Sequence, residues 1–410
     1  MLTGTNLTHA KRHNIQIVYE TIRLHGPISR AAVARKTQLT AQTITNLVRQ
    51  LLDEGLLVES EPQSAGRGAP SIGLSIEPDA AFSVGLDLDD EHLTAVLVNL
   101  SGSVQQRLYR KLADPSPEEA LDALAAAVEE LVERHRPARG KVWGVGLGVP
   151  GPMVPSPDGS GTYVVSPRSL SGWHDVPLAE MLHERVELPV FIENNATAAA
   201  VGEHWYGAGR HLPTFFYFYL GTGLGGGLVV QGHPFGGHTG NVGEIAYLPP
   251  HPLATGTPTS AADHIGELFD LRRLARRLED AGEPVASLEA LAEHVATGSP
   301  EANAWLDEAA EQLAFMLLTV EYVLDPAATF VGGRWPEPLI CELLTRAKAL
   351  LAERRTPYRR TAPALHLSTA GTDAAALGVA TLPLYHSFAP ESRISLRQAN
   401  AGEAPAGLPR

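Results

Sequence analysis

Cysteine is all but absent: Cys341 is the only one in 410 residues. A lone thiol excludes an internal disulfide framework and any cysteine-rich zinc site. Aromatic residues make up only 6% of the chain, and long uninterrupted apolar runs are missing. The most apolar stretches, FFYFYLGTGLGGGLVV and LAFMLLTVEYVL, are short and broken by glycines or by Glu321, so neither makes a membrane span. The opening residues, MLTGTNLTHAKRHN, carry no apolar signal-peptide core. With 44% hydrophobic residues, the composition predicts a soluble, cytoplasmic protein of two or three domains. Acid is also scarce in one place. Residues 1–50 hold seven Lys/Arg against Glu20 alone, a net of +6, whereas the whole chain is at −14, which leaves −20 for residues 51–410. A basic head on an acidic body points to a head that meets a polyanion.

What is present in that head is a pattern of three short helices. Ile15, Ile17, Val18, Ile22 and Leu24 give one apolar face to a helix over 13–25, which Gly26-Pro27 stops. Ser29 can cap a second helix over 30–36, and Thr40 a third over 41–53 that Gly55 ends. Ile44, Leu47, Val48, Leu51 and Leu52 face inward on the third. Two short strands, 56–58 and 72–76, joined by a tip containing Gly66-Arg67-Gly68, complete a winged helix-turn-helix. Its third helix presents Gln42, Thr43, Thr45, Asn46 and Arg49 to the base edges of double-stranded DNA. Lys11, Arg12, Arg30, Arg35 and Lys36 can neutralise phosphates, and Arg67 suits a narrow minor groove.

The character changes after Glu77-Pro78-Asp79. FSVGLDLDDEHLTAVLVNLSG reads as two strands with a turn at Asp89-Asp90, followed by a helix over 117–135 and the buried strand VWGVGLGV. A second unit opens on FFYFYLGTGLGGGLVVQG, a strand–turn–strand, and continues with helices over 261–281, 301–324 and 336–354 around the strand ATFVGG. Two halves of this kind predict a bilobal α/β fold with a cleft between the lobes. Between them lies IENNATAAA, where an apolar strand runs into an alanine-rich helix. Asn194 and Asn195 therefore sit at a strand's C-terminal end, where α/β folds bind ligands. The expected units are 1–78, 79–195, 196–387 and a tail over 388–410 rich in Ala, Pro and Gly.

GVPGPM, LSGWHDVPL, LPVFIENNATAAAVGE, LGTGLGGGLVVQG and GNVGEIAY, in this order and spacing, resemble the ROK family of repressors and sugar kinases. The resemblance spans residues 12–385, and the appended head matches the repressor branch, which includes xylose and N-acetylglucosamine repressors. It implies an actin-like sugar-kinase fold, a sugar or sugar phosphate in the cleft, an operator DNA, and a homodimer or homotetramer. The chain departs from the family's kinases at three places. Their general base is an Asp where this chain has Asn195, and an amide cannot take a hydroxyl proton at neutral pH. Their phosphate turn, Asp-x-Gly-Gly-Thr, is here Asp87-Leu88-Asp89-Asp90-Glu91, whose carboxylates repel phosphate. Their zinc-binding His is replaced by Tyr247, the following loop has no cysteine, and His233, His238 and His251 match no common zinc spacing. The surviving glycine turns, Gly221 to Gly227 and Gly332-Gly333, read as tight hairpins and close packing.

The sugar-facing polar set carried over from the family is Asn194, Asn195 and Glu244, with Tyr247 in place of the His; Glu203 is either a further contact or an exposed helix position. The expectation is a DNA-binding, sugar-responsive regulator, most simply a repressor, with no catalytic residues, no cofactor and no metal. Its rivals are a residual ATP-dependent sugar kinase with a DNA-binding head, and a regulator controlled by a protein partner.

Overall fold

Gly26-Pro27 and two hydroxyl caps divide the head into its helices. The computed structural model describes residues 7–61, 72–156, 163–250, 264–359, 361–388 and 397–398. Helix α1 (Leu7–His25) starts N-terminal to the expected residue 13. Its first residues, LTHAKRH, lack the apolar period on which the expectation rested. Ser29 accepts from the Ala32 amide at the start of α2 (Arg30–Thr37), and Thr40 from the Thr43 amide at the start of α3 (Ala41–Asp53). Ile44, Leu47, Val48 and Leu51 of α3 are buried, while Leu52 is half-buried. The wing strands β1 (Leu57–Glu59) and β2 (Leu74–Ile76) pair antiparallel. The wing tip with Arg67 lies outside the described residues.

The head does not hang free. Ile15, Val18, Tyr19 and Ile22 of α1 share one buried cluster with Val98, Leu100, Val201 and Trp205 of the body. The Tyr19 hydroxyl donates to the Leu100 carbonyl at 2.5 Å, and the Arg23 guanidinium lies 3.9 Å from the centroid of Trp205. A buried aromatic with its one polar group satisfied, and a cation on an aromatic face, fix the head by both packing and charge.

The first lobe contains β3 (Phe82–Leu88), β4 (His92–Asn99), β5 (Val104–Lys111), α4 (Pro117–Arg134), β6 (Val142–Val149), the hairpin β7 (Met153–Pro155) and β8 (Tyr163–Val165), α5 (Leu178–Val186) and β9 (Val190–Asn194). Next come α6 (Asn195–Tyr206) and the second lobe's β10 (Thr214–Leu220), β11 (Leu224–Val230) and β12 (His233–Pro234). The chain then forms α7 (Leu271–Asp280), α8 (Leu288–Ala296), α9 (Pro300–Leu324), β13 (Ala328–Gly333), α10 (Glu337–Arg354) and β14 (Ala364–Leu367). It closes with α11 (Ala374–Phe388) and β15 (Arg397–Gln398). Among the described residues, the first sheet has the order β15-β9-β6-β3-β4-β5 and the second β12-β11-β10-β13-β14. Both lobes repeat one plan: an antiparallel hairpin extended by parallel strands, β6 on β3 and β13 on β10. The bilobal α/β expectation holds. Strand β5, the β7–β8 hairpin, helix α8, strand β14 and helix α11 are additions that the sequence reading did not separate, and the α-helix expected over 261–281 is confined to Leu271–Asp280.

The chain returns to the first lobe through α11, which packs on β3, β6 and α6. The approach is so close that a Cβ at Gly85 would collide with the Ala376 carbonyl, and one at Gly146 with the Val379 carbonyl. Gly146→Ala is therefore expected to cost about 1–3 kcal/mol, read as a lower urea midpoint at unchanged slope. Among the described residues, no helix is long and apolar enough to cross a membrane.

Candidate functional site

The opening of α6 builds the floor of a cleft between the lobes. Asn194 is the N-cap: its Oδ1 accepts from the Ala196 amide at 2.8 Å, and its Nδ2 donates to Glu244 Oε1 at 3.0 Å. The cap thus fixes the amide plane and aims its other end across the cleft at Glu244. Gly151 lies against this pair. A Cβ there would stand 2.6 Å from Asn194 Nδ2 and would collide with Glu244 Oε1, so a larger residue would push this pair apart. The Asn195 side chain lines the same space, half-buried, with no hydrogen bond to another described residue. It is a side-chain amide left open to a ligand hydroxyl.

The cleft encloses about 370 Å³, room for a monosaccharide, and Tyr247 forms part of its wall. The Tyr247 ring is 5.2 Å from the Arg168 guanidinium and 5.6 Å from the His264 ring. Burial, and then the charge of Glu244, raise the Tyr247 phenol above its ordinary value, so it stays a neutral donor. The expected set Asn194, Asn195, Glu244 and Tyr247 is therefore brought together around one space. Arg168, His264 and Gly151 join it. Sequence reading assigned them no role, although GVPGPM and the segment SPRSLSGWHDVPL contain two of them.

Glu203 does not join it. Its buried carboxylate accepts from the amides of Ala208, Thr369 and Ala370 and from the hydroxyls of Ser368 and Thr369. Those bonds tie the end of α6 to the loop before α11 and leave no acceptor for a sugar. Its role is structural.

On the far side of the cleft the acidic turn is not a bare cluster of carboxylates. Asp89 Oδ1 accepts from the amides of Glu91 and His92 and lies 2.6 Å from His92 Nδ1. Asp90 crosses to the second lobe, where Arg272 NH1 donates to its Oδ2 at 2.5 Å, and Arg272 also binds Asp270 at 2.9 Å. Repulsion by three free carboxylates is thus corrected to an internal salt bridge that occupies the turn. Arg334 adds a second tie, donating to Thr94 Oγ1 at 3.2 Å and lying 5.4 Å from the Tyr109 ring. On the sugar side, Asn241 accepts from the Met153 amide at 3.0 Å and donates to the Met153 carbonyl at 2.8 Å. The lobes are pinned to each other at both ends of the cleft.

His92 is the buried cation of this region. Burial alone would lower its pKa, but hydrogen bonds to Asp87 and Asp89 outweigh that and push it up to about 9. A pKa raised in the folded state stabilises fully below the unfolded value near 6.5, and the gain is lost as pH rises through about 9. The melting temperature should accordingly fall by about 3 °C or more between pH 7 and pH 10, and by less in His92→Gln, as scanning calorimetry would read it.

In the head, Gln42, Asn46 and Arg49 of α3 are exposed, and Gln42 Nε2 donates to Asn46 Oδ1 at 3.1 Å. Thr43 and Thr45 are half-buried: Thr43 shares a hydrogen bond with Thr40, and Thr45 donates to the Ala41 carbonyl. Arg30 is paired with Glu59 of the wing at 2.6 Å. The exposed face of α3 therefore carries Gln42, Asn46 and Arg49, and the two threonines shape its N-terminal turn.

The two-lobed plan agrees with comparison to known proteins. A model described as "ROK family" matches residues 83–384. The chain belongs to the ROK family. A putative xylose repressor of Caldicellulosiruptor sp. (strain Rt8B.4) is 30% identical over 240 residues, 58% of this chain and 59% of that protein. The match thus spans about three fifths of the length of that curated relative, and the similarity includes the family's repressor branch. A solved ROK family transcriptional regulator, described as a homologue of the E. coli MLC protein, superposes with a TM-score of 0.71 at 22% identity. That match covers 93% of this chain and 98% of that one, a likeness of fold that includes the head. A ROK family glucokinase from Streptomyces griseus, solved in complex with glucose and AMPPNP, superposes with a TM-score of 0.61 at 25% identity. It covers 74% of this chain and 99% of that one. Repressors and kinases of this family share one fold, and their roles lie in sugar-responsive regulation and sugar phosphorylation.

Proposed function

We propose that this ROK protein is a cytoplasmic transcriptional regulator, most simply a repressor, whose cleft binds a sugar or sugar phosphate without turning it over. The observation that carries the reading is Asn195. It lines the cleft beside Asn194 and Glu244 with its amide open, where a kinase of this family needs a carboxylate. The filled acidic turn supports the same reading from the nucleotide side. The operator would be read by Gln42, Asn46 and Arg49 on α3, and the protein would bind it as a homodimer or homotetramer on symmetric half-sites.

Fluorescence anisotropy on DNA from upstream of the gene, with and without a panel of sugars, tests the proposal. Gln42→Ala or Asn46→Ala should each cost about 1–3 kcal/mol and relax the preference at particular bases. Affinity should fall steeply with salt, because phosphate contacts release counterions. If both substitutions left operator binding unchanged, α3 would not be the reading helix.

A further inference from the structure

The seam between head and body holds a second cavity, of about 400 Å³, beside the contact of Arg23 with Trp205. Its chemistry is graded along its depth. At the inner end, Trp205 and His233 lead into a narrow apolar slot of only about 30 Å³, bordered by Val201, Val229, Pro234 and Leu382. At the mouth stand His13, His25 and Lys36, all exposed and none paired with a carboxylate of the described residues. Glu20, which lines the same cavity, is already held through both oxygens by Arg23, at 2.9 and 2.6 Å.

Between mouth and slot lies Gln16, only 6% exposed, whose Nε2 has no hydrogen-bond partner among the described residues. A buried amide donor of this kind calls for an acceptor. The inner imidazoles do not add charge. Burial lowers the pKa of both His204 and His233, and His233 Nδ1 shares a 2.7 Å hydrogen bond with the Tyr385 hydroxyl. Burial, Lys36 and His211 lower the pKa of His25 at the rim as well, so the positive charge there is that of Lys36, and the apolar surface lies deeper.

We propose that this seam is a second ligand site, for a small amphipathic anion. Its carboxylate lies at the rim beside Lys36, an oxygen accepts from Gln16 Nε2, and an apolar ring lies in the cavity itself against Ile17, Leu24 and Trp205, since the slot beyond is too small to hold one. Such a ligand touches α1 of the head on one side and α6 and α11 of the body on the other. It therefore acts on the seating of the head directly, at the end of α6 remote from the sugar cleft.

Saturation-transfer NMR and calorimetry with benzoate and 4-phenylbutyrate, against neutral benzyl alcohol, test the site. The carboxylates should bind about tenfold or more tightly than the alcohol, and Lys36→Glu should remove that preference. Leu24→Ala, which removes apolar lining from the cavity, should weaken all three probes. Lys36 is exposed, so its variant reports on the site even if Leu24→Ala lowers stability. Equal affinity for benzoate and benzyl alcohol would overturn the proposal. So would benzoate binding that Lys36→Glu leaves unchanged.

Discussion

Purified protein given ATP and hexoses, pentoses or amino sugars should turn over far more slowly than about 1 per second, and Asn195→Asp alone should not raise that rate to an enzyme's. A positioned general base contributes roughly 10²–10⁴-fold, and the amide at Asn195 cannot supply it. The obstacle on the nucleotide side is independent. Asp90 and Arg272 hold each other across the lobes at 2.5 Å, with Glu91 4.0 Å from the same guanidinium. Asp90 is buried, and its burial, opposed by Arg272, raises its pKa. A triphosphate entering that turn would have to displace a formed salt bridge and would meet carboxylates instead of glycine amides. One substitution removes one of two obstacles. A coupled ATP-consumption assay decides the matter. A rate near 1 per second in the wild-type chain would sink the binding-only reading, and the same rate in Asn195→Asp would show that the acidic turn is no barrier.

The elements most legible in the sequence were those set by local chemistry. Ser29 and Thr40 cap the helices they were expected to cap, and α3 has its expected bounds. IENNATAAA reads correctly as the end of a strand and the start of a helix because the cap is Asn194 itself. Strand β5 was less legible. VQQRLYRK is an edge strand with polar residues on both faces, so neither period of apolar residues marks it. The cleft's polar set came from motifs, but its mutual bonds did not. Glu203 has the composition of a ligand contact and the environment of a structural tie, and only the loop at 368–370 tells them apart. Arg272 was hidden for a different reason. It sits in LRRLARRLED, which reads as a solvated face, and its partner Asp90 is 182 residues away. No spacing rule reaches that far.

Glu244→Ala should abolish the effect of the cognate sugar on operator affinity while leaving operator binding in the absence of sugar intact. The route between the two sites is α6. Its N-cap, Asn194, is bonded to Glu244 in the cleft, and its far end carries Val201 and Trp205 into the cluster shared with α1. A helix of this length spans about 18 Å, and no flexible segment interrupts it. On the proposed function, a sugar engaging Glu244 and Asn195 would pull on the cap, and the displacement would reach the Trp205 face under Arg23. Coupling of this kind is typically about 1–3 kcal/mol, a shift of roughly 5–150-fold in operator affinity. Removing the Glu244 carboxylate takes away both the sugar's acceptor and the partner of Asn194, so the shift should vanish. The head's own contacts, Tyr19 to Leu100 and Arg23 on Trp205, are untouched by the change. Anisotropy titrations of wild type and Glu244→Ala, each with and without the sugar, measure the two quantities separately. A variant that still answered the sugar as the wild type does would take the sensor out of this cleft and leave control by a protein partner as the better account.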